Sequence, residues 1–352
     1  MINNDIEKEK EFDGHRFVSF LYDKDNNLKG FVAIHRGGVV GPALGATRVW
    51  KYKNEKEALN DALRLSRLMS YKSALAGLPY GGAKAALIEP KGGIKNRKEF
   101  FSVYAKRVNY LGGHFVTGTD VGVTNDDVKI MSEVSPNFIG NKVDPAYFTG
   151  EGVIVGIKTS LKEVFGSDSV SGKTFAIQGL GKTGSSVANL LYKNGAKKIY
   201  ITDENQDKIK SFSKLDKIFE STPKADIHKK KVDVFIPCAL SGILNQKSIK
   251  EIKAKIICGS ANNQLESKYA GELLYKKGIL YAPDYVVNAG GIIAVADELQ
   301  SNSNPDDKRI MRKVLDIEKT LLKIFMESKS KKLSTSFVAD SMAEAIFNSK
   351  EL

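Results

Sequence analysis

Cysteine is scarce in this chain: 352 residues include 2, Cys238 and Cys258, each closing an apolar run and neither at a metal-ligand spacing. That scarcity excludes a disulfide framework and fits buried thiols in a reducing cytoplasm. Histidine is nearly as sparse, with 4 residues (His15, His35, His114 and His228) and no paired spacing. No metal site is therefore expected. No apolar run approaches the ~18 residues that would span a bilayer. The polar start, residues 1–10, lacks the apolar centre of a signal peptide. These absences read as a cytoplasmic protein with no membrane partner. The net charge of +13 raises a nucleic-acid reading, but the lysines are dispersed. Their short clusters at 229–231 and 329–332 carry no interleaved aromatics. Such a surface attracts a small anionic cofactor without tracking a nucleic-acid backbone, so no nucleic-acid partner is expected.

What is present is an ordinary globular composition, 42% hydrophobic and 27% charged, in a chain too long for one core. Apolar residues at Ala58, Leu59, Ala62, Leu63, Leu65, Leu68 and Met69 recur at helical period and predict a helix over 55–71 that delivers Lys72 at its end. A glycine turn then leads to a short strand over 85–88. A helix over 97–110 and a strand over 114–117 follow, and the strand exits into Gly118-Thr119-Asp120-Val121-Gly122. Thr124 with Asp127 predicts a capping box opening another helix. After residues 136–149, which show no clear period, strands are expected at 174–178, 198–202, 233–237, 255–258 and 278–282, with helices between most of them. Short strands apolar on both faces imply a parallel sheet covered by helices, with its ligand at the carboxyl edge. The strand exits carry Gly179-Leu180-Gly181, Asp203, Cys238-Ala239-Leu240-Ser241, Gly259-Ser260-Ala261-Asn262-Asn263 and Asp284 through Gly291. Residues 316–350 are helical in pattern, with a break near 328–336. The fold class is α/β with two domains, an N-terminal α/β substrate domain and a Rossmann-type doubly wound nucleotide domain. The expected boundaries are 1–148 for the first domain, 149–330 for the nucleotide domain, and 331–352 for a helical segment returning to the first domain.

Two stretches carry chemistry. In Gly77-Leu78-Pro79-Tyr80-Gly81-Gly82-Ala83-Lys84, the lysine lies twelve residues after Lys72. Glycines let a ligand approach backbone, and one lysine could hold a carboxylate while the other acts as a base. Asp120, on a strand-exit loop, is the acid near them. The second stretch, Gly179-Leu180-Gly181-Lys182-Thr183-Gly184, follows a strand, opens a helix and meets Asp203 nineteen residues after its last glycine. That context makes it a dinucleotide fingerprint: Gly179 for the turn, Gly181 for approach to the pyrophosphate, Gly184 for helix packing, and Asp203 for the ribose hydroxyls. A carboxylate there repels a 2′-phosphate, so NAD is favoured over NADP. Lysine is an effective base near neutral pH only if its pKa falls, through burial and a second cation, a role that suits Lys72.

Together with Gly41-Pro42-Ala43-Leu44-Gly45-Ala46-Thr47-Arg48, Met69-Ser70-Tyr71-Lys72, Gly118-Thr119-Asp120 and residues 281–291, these stretches resemble the glutamate/leucine/phenylalanine/valine dehydrogenase family, and the leucine branch most. The resemblance implies reversible oxidative deamination, in which an L-amino acid, NAD and water give a 2-oxo acid, ammonia and NADH. By the family's pattern Lys72 binds the substrate carboxylate, Lys84 is the general base and acid, and Asp120 exchanges protons with the amino group. Leu44, Gly45, Ile292 and Val295 would meet the substrate. The cofactor would be held by the glycine loop with Leu180, Lys182 and Thr183, by Asp203 and Ala239, and by Thr149, Asn263 and Asn288 at the nicotinamide, Asn288 preceding a flexible Gly290-Gly291 turn. Leu44 stands where glutamate-specific relatives carry a lysine, which disfavours glutamate and suits a branched aliphatic substrate. Departures from the leucine branch at Ala83, Gly150-Glu151, Asn262 and Ala294 make a phenylalanine/tryptophan-type enzyme the alternative, and a catalytically silent NAD-binding protein of the same fold is a separate second one. Homo-oligomers built through the substrate domain are also implied.

Overall fold

The computed structural model describes residues 6–37, 41–239, 241–302 and 304–349, the last three by backbone alone. Leu240, grouped above with a strand exit, lies outside them. The chain divides into two compact units, 1–143 with 294–305 and 343–352, and 144–293 with 306–342. Each is completed by a later stretch of chain. The expected boundaries at 148/149 and 330/331 fall inside helices.

In unit 1, strands β1 (Phe17–Asp23) and β2 (Leu28–Arg36) form an antiparallel hairpin. After it come β3 (Ala43–Leu44), β4 (Thr47–Trp50), α1 (Glu55–Leu75), β5 (Gly81–Ile88), α2 (Arg97–Asn109), β6 (Phe115–Val116) and α3 (Asn125–Val134). The sheet runs β1-β2-β5-β3-β6, with β4 also paired to β5. The predicted strand over 85–88 is thus longer, and it places Gly81, Gly82 and Lys84 inside β5. The reason is packing. A Cβ on Gly82 would lie 2.0 Å from Ser70 N and 2.6 Å from Ser66 O, so α1 can rest on the sheet only where the side chain is missing. These glycines admit a helix to backbone contact. Phe101, Tyr104, Phe115 and Met131, all fully buried, lie in the core on the face covered by α2 and α3.

In unit 2, α4 (Pro145–Phe165) precedes β7 (Thr174–Gln178), α5 (Lys182–Lys193), β8 (Lys198–Thr202), α6 (Gln206–Leu215) and β9 (Phe219–Ser221). Next are β10 (Val234–Pro237), α7 (Gln246–Glu251), β11 (Ile256–Ile257), α8 (Lys268–Lys276), β12 (Leu280–Tyr281), α9 (Asp284–Val287) and the start of α10 (Gly290–Gln300), which belongs to unit 1 from residue 294. Helices α11 (Asp307–Lys331) and α12 (Thr335–Ser349) follow, separated where Lys332 adopts φ +58°, and α12 belongs to unit 1 from residue 343. The sheet is parallel in the order β12-β11-β10-β7-β8-β9, reversing beside β7. Strand β9 escaped the sequence reading because this three-residue edge strand, Phe219–Ser221, is too short to show a period. The Gly290-Gly291 pair is no flexible turn. It starts α10, and a Cβ on Gly290 would lie 1.9 Å from Phe148 O, so the glycine serves close packing on α4. Among the described residues, no helix is long and apolar enough to cross a membrane.

One ion pair anchors the loop that carries Asp120. The Asp127 carboxylate, on α3, accepts from Arg97 Nε at 2.9 Å and Nη2 at 2.5 Å, and from Thr124 N and Oγ1, each at 2.7 Å. Thr124 and Asp127 form the predicted capping box, and Arg97 Nη2 also holds Gly122 O at 3.0 Å. Burial alone would favour the neutral acid, but these donors hold the carboxyl below its ordinary value. Its stabilisation is therefore complete above the unfolded pKa of about 3.9 and is lost as pH falls through the lower folded value. Asp127→Asn is expected to cost about 2 kcal/mol at pH 7, and the deficit relative to wild type should shrink below pH 4. Urea denaturation followed by circular dichroism at both pH values measures it, and an unchanged midpoint at pH 7 contradicts it.

Candidate active site

Unit 1 assembles a group of buried charges from separate stretches. Strand β4 lies parallel to β5, Arg48 opposite Ala86, and its outer edge is bonded to the loop after β6 through Thr47 N to Gly118 O at 3.0 Å and Val49 N to Val121 O at 2.9 Å. This backbone frame brings Arg48, Lys84 and Asp120 together. Lys84, 5% exposed, makes an ion pair with Asp120 Oδ2. Arg48 Nε stands 3.3 Å from the same oxygen, in ion-pair range. The other carboxylate oxygen accepts Val121 N at 2.7 Å, which fixes the plane of the group.

Burial pushes the Lys84 ammonium below its ordinary pKa, and Arg48 adds to this against the pull of Asp120. Asp120 shows the opposite balance. Burial favours its neutral form, but Lys84 and Arg48 prevail and keep it ionised well below the usual carboxylate range. The second cation that sequence reasoning assigned to Lys72 is thus supplied at this oxygen by Arg48. Lys72 lies in the last turn of α1, half-buried, two residues beyond the Ser70 amide that rests on Gly82. Leu44, 1% exposed, is paired in β3 with Gly82 and Val116. A Cβ on Gly45 would lie 2.1 Å from Ala83 O, so a side chain there would part β3 from β5. Val295 reaches toward Gly140, its Cγ2 3.5 Å from where a Cβ would stand.

Sequence reasoning missed Arg48, Asp61 and Tyr52 as parts of this group. Arg48 Nη1 meets Asp61 Oδ2 at 3.1 Å, and Tyr52 donates to that oxygen at 2.7 Å. A signal existed: Asp61 lies three residues after Ala58 and four before Leu65, on the apolar stripe of α1, where a charge needs partners.

In unit 2, the glycine loop leaves β7 as the fingerprint requires. Gly179 has φ +99°, and a Cβ there would lie 2.6 Å from the Ala239 Cβ. A Cβ on Gly184 would lie 2.0 Å from Gly179 O, which seats α5 against the loop. Gly181, by contrast, faces open space, and it begins α5 without any side-chain cap. No side chain caps the amides at this helix start, an arrangement that suits an anion. Asp203 Oδ2 accepts Leu180 N at 2.5 Å and Oδ1 accepts Asn205 N at 2.8 Å, fixing the carboxylate beside the loop. A cavity of about 160 Å³ opens there, lined by Gly179, Asp203, Glu204, Lys224 and Ala239 among others. At the far side of the sheet, Asn288 donates to Ser260 O at 3.1 Å and Asn262 Oδ1 at 3.0 Å, while its own buried Oδ1 has no partner among the described residues. An orphaned amide acceptor suits the carboxamide of a nicotinamide. Asn263 holds a left-handed turn at φ +55°. The Thr149 hydroxyl donates to Pro145 O at 2.7 Å and would lie 2.8 Å from a Cβ on Gly291. Ile292 is buried at the start of α10. The residues of unit 2 fit a dinucleotide.

Two family profiles match this chain. The Glu/Leu/Phe/Val dehydrogenase dimerisation domain covers residues 15–136, and the Glutamate/Leucine/Phenylalanine/Valine dehydrogenase domain covers 140–207 and 202–348. Leucine dehydrogenase of Geobacillus stearothermophilus is 41% identical, over 93% of this chain and 89% of that one. Phenylalanine dehydrogenase of Lysinibacillus sphaericus is 42% identical, over 89% and 84%. The crystal structure of L-tryptophan dehydrogenase from Nostoc punctiforme matches with a TM-score of 0.81 at 38% identity, over 96% and 98%. The chain belongs to the glutamate/leucine/phenylalanine/valine dehydrogenase family.

Proposed function

We propose that this amino-acid dehydrogenase oxidises leucine or another branched-chain L-amino acid to its 2-oxo acid, releasing ammonium. The observation that carries the reading is the buried Lys84–Asp120 pair. The cofactor is NAD, which when bound accepts the hydride from the substrate α-carbon. Lys72 holds the substrate carboxylate as a point charge. Lys84, its pKa lowered by burial, takes a proton from the water that attacks the resulting iminium carbon. Asp120, kept ionised, accepts a proton from the substrate ammonium before oxidation and returns it to the departing nitrogen. Lys84 passes the water's proton to the carbinolamine nitrogen and, neutral again, takes the hydroxyl proton as the C–N bond breaks and the carbonyl forms; the departing ammonia takes the proton held on Asp120 and leaves as ammonium.

The apolar Leu44 excludes a side-chain carboxylate partner, which supports an aliphatic substrate over glutamate. A phenylalanine or tryptophan preference is the second reading, favoured by relatives of those names at similar identity. Self-association through unit 1 is also part of this proposal, because the dimerisation-domain profile covers it and β1 exposes Phe17, Phe20 and Tyr22.

NADH oxidation with 4-methyl-2-oxopentanoate and ammonium is the expected activity, and deamination rates with leucine, valine, isoleucine, phenylalanine, tryptophan and glutamate should rank the aliphatic substrates first. Failure with every oxo acid would sink the proposal, and a larger kcat/KM for phenylalanine or tryptophan would select the second reading. Lys84→Ala should lower kcat about 10²- to 10⁴-fold. Because a neutral amine is the base, kcat/KM for deamination should rise with pH, with a midpoint below the ordinary lysine value of about 10.4. For the cofactor, Asp203→Ala should raise the KM for NAD about tenfold and narrow the preference over NADP. An unchanged NAD/NADP ratio of kcat/KM would remove Asp203 from cofactor choice.

A further inference from the structure

The charges around Lys84 do not balance. Lys84 and Arg48 converge on Asp120 Oδ2, the latter at 3.3 Å. Arg48 reaches on to Asp61 at 3.1 Å, and Arg64 Nη2 meets the other Asp61 oxygen at 2.6 Å. Tyr52 donates its hydroxyl to Asp61 and adds no charge. Among the described residues, Lys84, Arg48 and Arg64 are thus opposed by Asp61 and Asp120, so the connected group carries one surplus positive charge. Except for Arg64, whose side chain is 32% exposed, the charged side chains are at least four-fifths covered: 19% exposed for Arg48, 14% for Asp61, 15% for Asp120 and 6% for Lys84.

A surplus charge out of water is relieved by losing a proton. Neither guanidinium can do so, because arginine stays protonated throughout the working range, and burial beside the Asp61 carboxylate holds the Tyr52 hydroxyl proton more tightly than usual. We propose that Arg48 is a positioning residue for Lys84: by occupying Asp120 and Asp61 together, it makes Lys84 the one member of the group whose deprotonation brings the charges into balance. This inference rests on the reading of Lys84 as the base. Without Arg48, the protonated lysine would already balance its surroundings and would hold its proton more tightly. Without the charge of Asp61, the surplus would grow and the proton would leave more easily. Two isosteric or near-isosteric changes on different elements therefore act in opposite directions. A purely structural role would not produce that sign reversal.

The test compares wild type, Arg48→Met and Asp61→Asn. One measurement is the pH dependence of kcat/KM for leucine deamination. The other is carbamylation of Lys84 by cyanate across pH, read by peptide mass spectrometry, since only the neutral amine reacts. Arg48→Met is expected to move the Lys84 midpoint upward by about one pH unit or more, and Asp61→Asn to move it downward. Midpoints that stay put in both variants, or move in the same direction, overturn the inference. Absence of turnover in wild type would instead overturn the proposed function, and cyanate would still report the titration of Lys84. Should Arg48→Met fail to fold, the direction of the shift in Asp61→Asn decides alone.

Discussion

A lysine buried against an aspartate is the constraint on which unit 1 is organised. Removing one partner from such a pair costs about 3–5 kcal/mol, because the other charge is left out of water without compensation. The charges come from β4, from β5 and from the loop after β6, so the group survives only if these stretches keep their spacing. Much of the surrounding sequence serves that spacing. Gly45 lets β3 lie against Ala83, Gly82 lets α1 lie against β5, and Arg97 with Asp127 ties down the loop beyond Asp120. The glycines here set distances between backbones, and the chemistry stands on the frame they permit.

The two units build their sites from different materials. Unit 2 relies chiefly on backbone, a glycine at positive φ and a helix start without a side-chain cap, joined by a side-chain acceptor at Asn288 with no partner among the described residues. Unit 1 relies on side-chain charges whose protonation is set by one another and by burial. A site of the first kind recognises fixed dipoles and phosphates, whereas one of the second kind moves protons.

That difference decides what could be read from the sequence. Backbone devices leave local spacing, so the glycine loop, Asp203 and the strands over 174–178 and 198–202 were found at their observed positions. The capping box of Thr124 and Asp127 was likewise legible, since both partners lie within one turn. The charge group was only partly so. Lys84 and Asp120 were singled out, but Arg48, Tyr52 and Asp61 meet through a strand and a helix face, and no fixed interval records such a meeting. Gly290 was misread for a related reason: a glycine that admits a neighbouring helix and one that bends a turn are the same letter, and only the 1.9 Å approach to Phe148 O separates them.

The route of the chain has a consequence for how the protein comes into being. Unit 1 needs residues 294–305 and 343–352 as well as the first 143. Glu298 binds Gly140 N at 3.1 Å, and Glu344 accepts from Tyr71 at 2.8 Å. Synthesis proceeds from the N-terminus, and domains commonly fold as they emerge. Residues 1–143 therefore reach their full set of contacts only after residues 343–349 have been made, by which time residues 144–293 and 306–342 of the other unit already exist.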